Sequence, residues 1–115
     1  MRGLLPPTVE TLDQQVARVY EQFRNYEKPI NKYVFLNMLQ LRNETVFYRL
    51  VMQHLKEIIP VIYTPTVGEA CQRFCHLFRG QQGMYISLFK DRGSVRSVLD
   101  NWAYDAPNII VVTGV

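Results

Sequence analysis

Tyr63-Thr64-Pro65-Thr66-Val67-Gly68 sets a phenol just ahead of a helix start, and the chain is read outward from there. Pro65 favours an extended Thr64 and suits a first helical turn, while the Thr64 hydroxyl can cap N–H groups that such a turn leaves without partners. Beyond it Val67, Ala70, Cys71, Phe74, Cys75 and Phe78 recur three and four apart, a helical stripe that Gly80 closes. Tyr63 has two readings. Either its ring packs beneath the turn and its hydroxyl bonds a carbonyl, or it projects into a cleft as a proton donor. A phenol ordinarily titrates at about 10, so it holds a transferable proton at neutral pH.

Upstream the chain reads as helix after helix. Pro6-Pro7 ends an extended lead-in, and Leu12, Val16, Val19, Tyr20 and Phe23 then fall at helical spacing. Thr11 with Gln14 three residues later fits a capping box, which predicts a helix over about 11–25. Pro29 opens the next. From Ile30 to Leu41 the apolar residues Tyr33, Val34, Leu36, Met38 and Leu39 crowd nearly all round, the pattern of a central helix buried on more than one side. Arg42-Asn43-Glu44 interrupts that pattern. Asn43 can cap a third helix carrying Val46, Phe47, Leu50 and Val51, which stops by Ile59 because Pro60 has no N–H to donate, or else Pro60 opens a new short helix.

The last third changes character. Met84-Tyr85-Ile86-Ser87-Leu88-Phe89 is rich in strand formers, and Ile109-Ile110-Val111-Val112 is a β-branched run of the kind buried in parallel sheets. Val95, Val98, Leu99 and Trp102 share one helical face between them. The expectation is therefore an α+β, mostly helical chain: a helical bundle over residues 1–80, then over 81–115 a strand-helix-strand unit beginning a truncated α/β domain.

Composition narrows the classes. At 115 residues, 48% apolar with seven Tyr, six Phe and one Trp, the chain can build a core or carry a large apolar face for a partner. A net charge of +3 without a run of Lys or Arg gives no phosphate-tracking surface, so nucleic acid is not expected. Cys71 and Cys75 with His76 and the distant His54 do not make four zinc ligands, and they read as small buried thiols on the apolar stripe. Two thiols, no secretory signal at Met1-Arg2-Gly3-Leu4-Leu5 and no stretch of membrane-spanning length point to a soluble intracellular protein, cytoplasmic or in the mitochondrial matrix. One polar constellation stands out on the first helices. Glu10, Gln15, Arg18 and Arg42 could gather around a small dianion, two guanidiniums gripping a carboxylate each while Glu10 orients one of them, or they are a solvated helix face.

Gly3-Leu4-Leu5-Pro6-Pro7, Arg42-Asn43-Glu44 with Phe47-Tyr48-Arg49, Ile59-Pro60-Val61-Ile62, the Tyr63–Gly68 hexapeptide, Asp91-Arg92-Gly93 and Asn101-Trp102 together resemble the N-terminal region of malic enzymes, in order and over essentially the whole chain. The resemblance implies oxidative decarboxylation of malate to pyruvate and carbon dioxide with NAD or NADP and divalent magnesium or manganese. It implies that Tyr63 is the general acid that protonates the enolpyruvate intermediate. It further implies a homo-oligomer and, from the animal NAD-dependent mitochondrial members of the family, an activating fumarate held at a dimer interface by residues matching Glu10, Arg18 and Arg42. The family's Asp-Gly-x-Arg substrate turn would follow Thr113, where this sequence reads Gly114-Val115. The lysine base, the metal-binding acids and a G-x-G-x-x-G nucleotide turn have no counterpart here either. The expectation is a part of an enzyme that is inactive alone, or else a non-catalytic module that dimerises or binds a small dicarboxylate.

Overall fold

The structure, a computed structural model, describes residues 3–114; Met1, Arg2 and Val115 lie outside the described residues. The chain divides into two compact units, one running to Gly80 and the other beginning at Gln81.

The first unit is helical throughout: α1 Leu12–Arg24, α2 Pro29–Arg42, α3 Glu44–Gln53, α4 Leu55–Ile62, α5 Thr66–Gln72 and α6 Phe74–Leu77. Its starts are written locally. Thr11 Oγ1 accepts from the Gln14 N–H at 3.3 Å while Gln14 Oε1 accepts from the Thr11 N–H at 2.9 Å, a complete capping box at α1. Pro29 occupies the first position of α2, where its missing N–H loses no helical bond. Asn43 ends α2 and starts α3, its Oδ1 accepting from the Val46 N–H at 3.2 Å. The α2–α3 bend is therefore made by one side chain.

Val16, Val19 and Phe23 share the inner face of α1 and meet Leu36 of α2, Val46, Phe47 and Leu50 of α3, and Ile58 and Val61 of α4 in one core. Burying each large side chain contributes about 1.5–3 kcal/mol. Helix α2 packs against α1, α3, α4 and α5, which explains why its apolar residues encircle it.

Three local expectations are corrected. The third helix does not run to Ile59 and stop at the proline; it breaks at His54, and α4 carries Pro60 inside it. The carbonyl that Pro60 leaves unbonded belongs to Lys56, an exposed residue of the first turn of α4, where water can satisfy it. Thr64 does not cap α5, because Pro65 takes the cap position and makes no side-chain bond. The Cys71–Phe78 stripe is not one buried face: the helix breaks at Arg73, and Cys71, Cys75, Phe74 and Phe78 are all exposed. Helical spacing defines a face but does not by itself bury it.

The second unit overturns the α+β expectation. Among the described residues there is no strand, and the only regular element after Gly80 is α7 Val95–Leu99. Gly93, at φ 88°, makes the left-handed turn that leads into it, a conformation open to glycine at little cost. Among the described residues, 84–89 and 109–112 form no strand, with Phe89 97% and Val112 90% exposed. A strand is stabilised by ladder bonds and by a covered face, and two short parallel segments supply each other with neither covered faces nor protected edges. Strand-forming side chains alone do not close a sheet.

Candidate functional site

Two places in the first unit bring together the residues the sequence singles out. The first is a cleft of about 310 Å³ between α1, α2 and the start of α3. Gln15, Arg18, Val19 and Gln22 line it from α1, at the three- and four-residue spacing that shares one helix face. Phe35, Met38, Leu39 and Arg42 line it from α2, with Asn43 and Val46 closing one end. The cleft thus has an apolar floor with Arg18 and Arg42 among its lining residues.

Glu10 approaches from the segment before α1. Its carboxylate accepts from Arg18 Nη2 at 2.8 Å and from Arg18 Nε at 3.1 Å, and the Gln15 side-chain amide donates to the Glu10 carbonyl at 3.1 Å. The hydrogen bond from Arg18, aided by its charge, holds the Glu10 carboxyl below its ordinary value of 4.5. The same pairing raises Arg18. Both groups are substantially exposed, so water screens the pair and it fixes geometry more than stability. Arg42 makes no ion pair among the described residues. One guanidinium is thus oriented by an anion and the other is available, an arrangement suited to a small dicarboxylate.

The second place is the α4–α5 joint. Tyr63 follows the last residue of α4 in extended backbone, its N–H bonded to the Ile59 carbonyl at 2.8 Å and its carbonyl accepting from the Val67 N–H at 2.9 Å. Its backbone is therefore held from both helices. The side chain is 64% exposed and does not pack beneath the turn.

The sequence reading missed a third cluster. Tyr20 donates its hydroxyl to Glu57 Oε2 at 2.6 Å, and its ring lies 3.6 Å from the His54 imidazole at an interplanar angle of 9°. The bond to Glu57 holds the Tyr20 phenol above its ordinary value of 10. No local pattern marks a contact that joins residue 20 to residue 57. Among the described residues no three His, Cys, Asp or Glu side chains converge as a metal set. No helix among them is long and apolar enough to cross a membrane.

The family description "Malic enzyme, N-terminal domain" matches residues 40–115. An NADP-dependent malic enzyme of Dictyostelium discoideum is 48% identical over 113 residues, which cover 98% of this chain and 21% of that protein. An NAD-dependent malic enzyme of Idiomarina loihiensis is 44% identical over the same share of this chain and 20% of its own length. A chloroplastic NADP-dependent malic enzyme of Flaveria pringlei is 47% identical, with 17% of its length covered. The chain spans about a fifth of the length of these relatives.

Proposed function

The chain belongs to the malic enzyme family, and on that premise we propose that it supplies the proton-donating residue and a dicarboxylate-binding cleft for the oxidative decarboxylation of malate to pyruvate and carbon dioxide. The observation that carries this reading is the placement of Tyr63: backbone held from α4 and α5, side chain open to an incoming substrate. Loss of carbon dioxide leaves the enolate of pyruvate, whose C3 must gain a proton. The Tyr63 hydroxyl delivers that proton to C3, the enolate oxygen becomes the ketone oxygen, and the resulting phenolate takes a proton from solvent before the next turnover. Positioned general acids of this kind contribute about 10²- to 10⁴-fold.

In the family NAD or NADP accepts the hydride from malate. This sequence has no G-x-G-x-x-G turn and its described residues offer no metal set, so neither the nucleotide nor a magnesium or manganese ion is assigned to residues of this chain. Alone, the chain is expected to reduce no NAD(P) with malate and manganese; measurable turnover would contradict that assignment.

The Arg18–Arg42 cleft supports a second role, binding of a regulatory dicarboxylate such as fumarate, with the Glu10 carboxylate holding Arg18 and Gln15 tethering the Glu10 backbone. Pairing with a second copy through these helices is part of the same proposal, and a strictly monomeric sedimentation profile across concentration would remove that part. The test of the catalytic role is a chimera in which residues 3–114 replace the corresponding segment of the Idiomarina relative. Tyr63→Phe in that chimera should lower turnover while leaving the KM for malate nearly unchanged. Undiminished turnover would take Tyr63 out of the mechanism.

A further inference from the structure

Helix α4 is a short rod between two joints. It begins after His54, whose backbone (φ −125°, ψ 37°) breaks the helix, and ends at the extended Tyr63 (φ −130°, ψ −159°). Ile58 and Val61 anchor α4 in the core, so the breaks at its two ends leave it small rolls about that contact, and a grip on its first turn bears on where its last residue points. Tyr20 grips that first turn twice. Its hydroxyl bonds Glu57 at 2.6 Å and its ring stacks on His54 at 3.6 Å, while the Arg24 guanidinium lies 5.7 Å from the centre of the same ring.

Tyr20 stands on α1, two residues after Arg18. Arg18 borders two hollows: the cleft it shares with Arg42, and a groove of about 560 Å³ lined by Tyr20, Gln53 and His54 among others. An anion in the cleft adds a second partner to Arg18, whose Nε and Nη2 already serve Glu10, and so bears on how α1 is held. Beside the shared apolar core, the clasp is a polar and stacking contact between α1 and the helix that leads to Tyr63.

We propose that Tyr20, His54 and Glu57 form a clasp through which occupancy of the Arg18–Arg42 cleft by a small dicarboxylate repositions Tyr63. The inference rests on the reading of that cleft as a dicarboxylate site and adds to it the route by which the site acts. Tyr20 and Glu57 are positioning residues: neither touches the cleft ligand or the reacting atoms. Coupling of this kind requires an element with two arrangements that both sites bias, and in this proposal that part falls to α4.

The test uses the 115-residue chain, with fumarate as the probe and two nuclear magnetic resonance reporters. One is the Gln15 side-chain amide, which reads the cleft; the other is the Tyr63 ring, identified by its absence in Tyr63→Phe. In the unaltered chain fumarate should shift both with a common midpoint. In Tyr20→Phe, which keeps the stack on His54 but removes the hydroxyl, the Gln15 shift should persist and the Tyr63 shift should be lost. Glu57→Gln, which keeps an oxygen acceptor, should retain the Tyr63 shift. A full Tyr63 response in Tyr20→Phe overturns the clasp, as does a Gln15 response without any Tyr63 response in the unaltered chain. If fumarate moves neither reporter, the cleft reading falls and the clasp falls with it.

Discussion

Replacing the two cleft arginines one at a time should give unequal losses of dicarboxylate affinity, and the order is set by Glu10. Arg42 has no ion-pair partner among the described residues, so Arg42→Ala removes one set of charge-assisted bonds and exposes no other charge. A hydrogen bond to a charged group is worth about 1.5–3 kcal/mol, or about 10- to 150-fold in affinity, and solvent exposure places this one near the lower end. Arg18→Ala removes a comparable grip and also strands the Glu10 carboxylate, now held 2.8 Å from Arg18, where it repels the incoming dianion. Arg18→Ala should therefore lose more than Arg42→Ala, and adding Glu10→Gln to Arg18→Ala should recover part of the difference. Calorimetric titration of the chain with fumarate at pH 7 and low salt measures all three, and raising the salt should compress the differences. Equal binding by the unaltered chain and Arg42→Ala, or no recovery from Glu10→Gln, would mean that these two arginines do not hold the dicarboxylate in this way.

Further outcomes follow from the core and from Glu10. Leu50 is fully buried in the core of the first unit, so Leu50→Ala should destabilise the chain by about 2–5 kcal/mol in denaturant titration. The Glu10 carboxyl should titrate with a midpoint below 4.5 in a carbon-detected pH titration, and Arg18→Ala should return it toward that value. The folded value is the lower one, so the pair's contribution is fully present above about 4.5 and is lost as the pH falls through the folded midpoint.

What the sequence revealed, and what it did not, divides by the range of the interactions involved. The capping box at Thr11 and Gln14, the Asn43 bend and the first-position Pro29 each depend on residues at most three positions apart, and all were legible. Gln15 and Arg18 could be placed on one face for the same reason. The strands at 84–89 and 109–112 were misread because a ladder needs partners that side-chain type does not specify. Burial of Cys71 and Cys75 was misread because spacing locates a face but not what lies against it. Pro60 reads locally as a helix stop or as the opening of a new short helix, whereas the break falls at His54 and the proline sits inside α4. The Tyr20–His54–Glu57 cluster joins residues 37 positions apart, and nothing local announces it.

The most direct test of the account is exchange of the pyruvate methyl hydrogens with deuterated solvent, followed by proton magnetic resonance in the chimera carrying residues 3–114. An acid that protonates C3 in one direction removes that proton in the other, so exchange isolates the step assigned to Tyr63 from hydride transfer. Tyr63→Phe should slow exchange by about a hundredfold or more with pyruvate binding retained. Exchange at an undiminished rate in Tyr63→Phe would contradict that assignment.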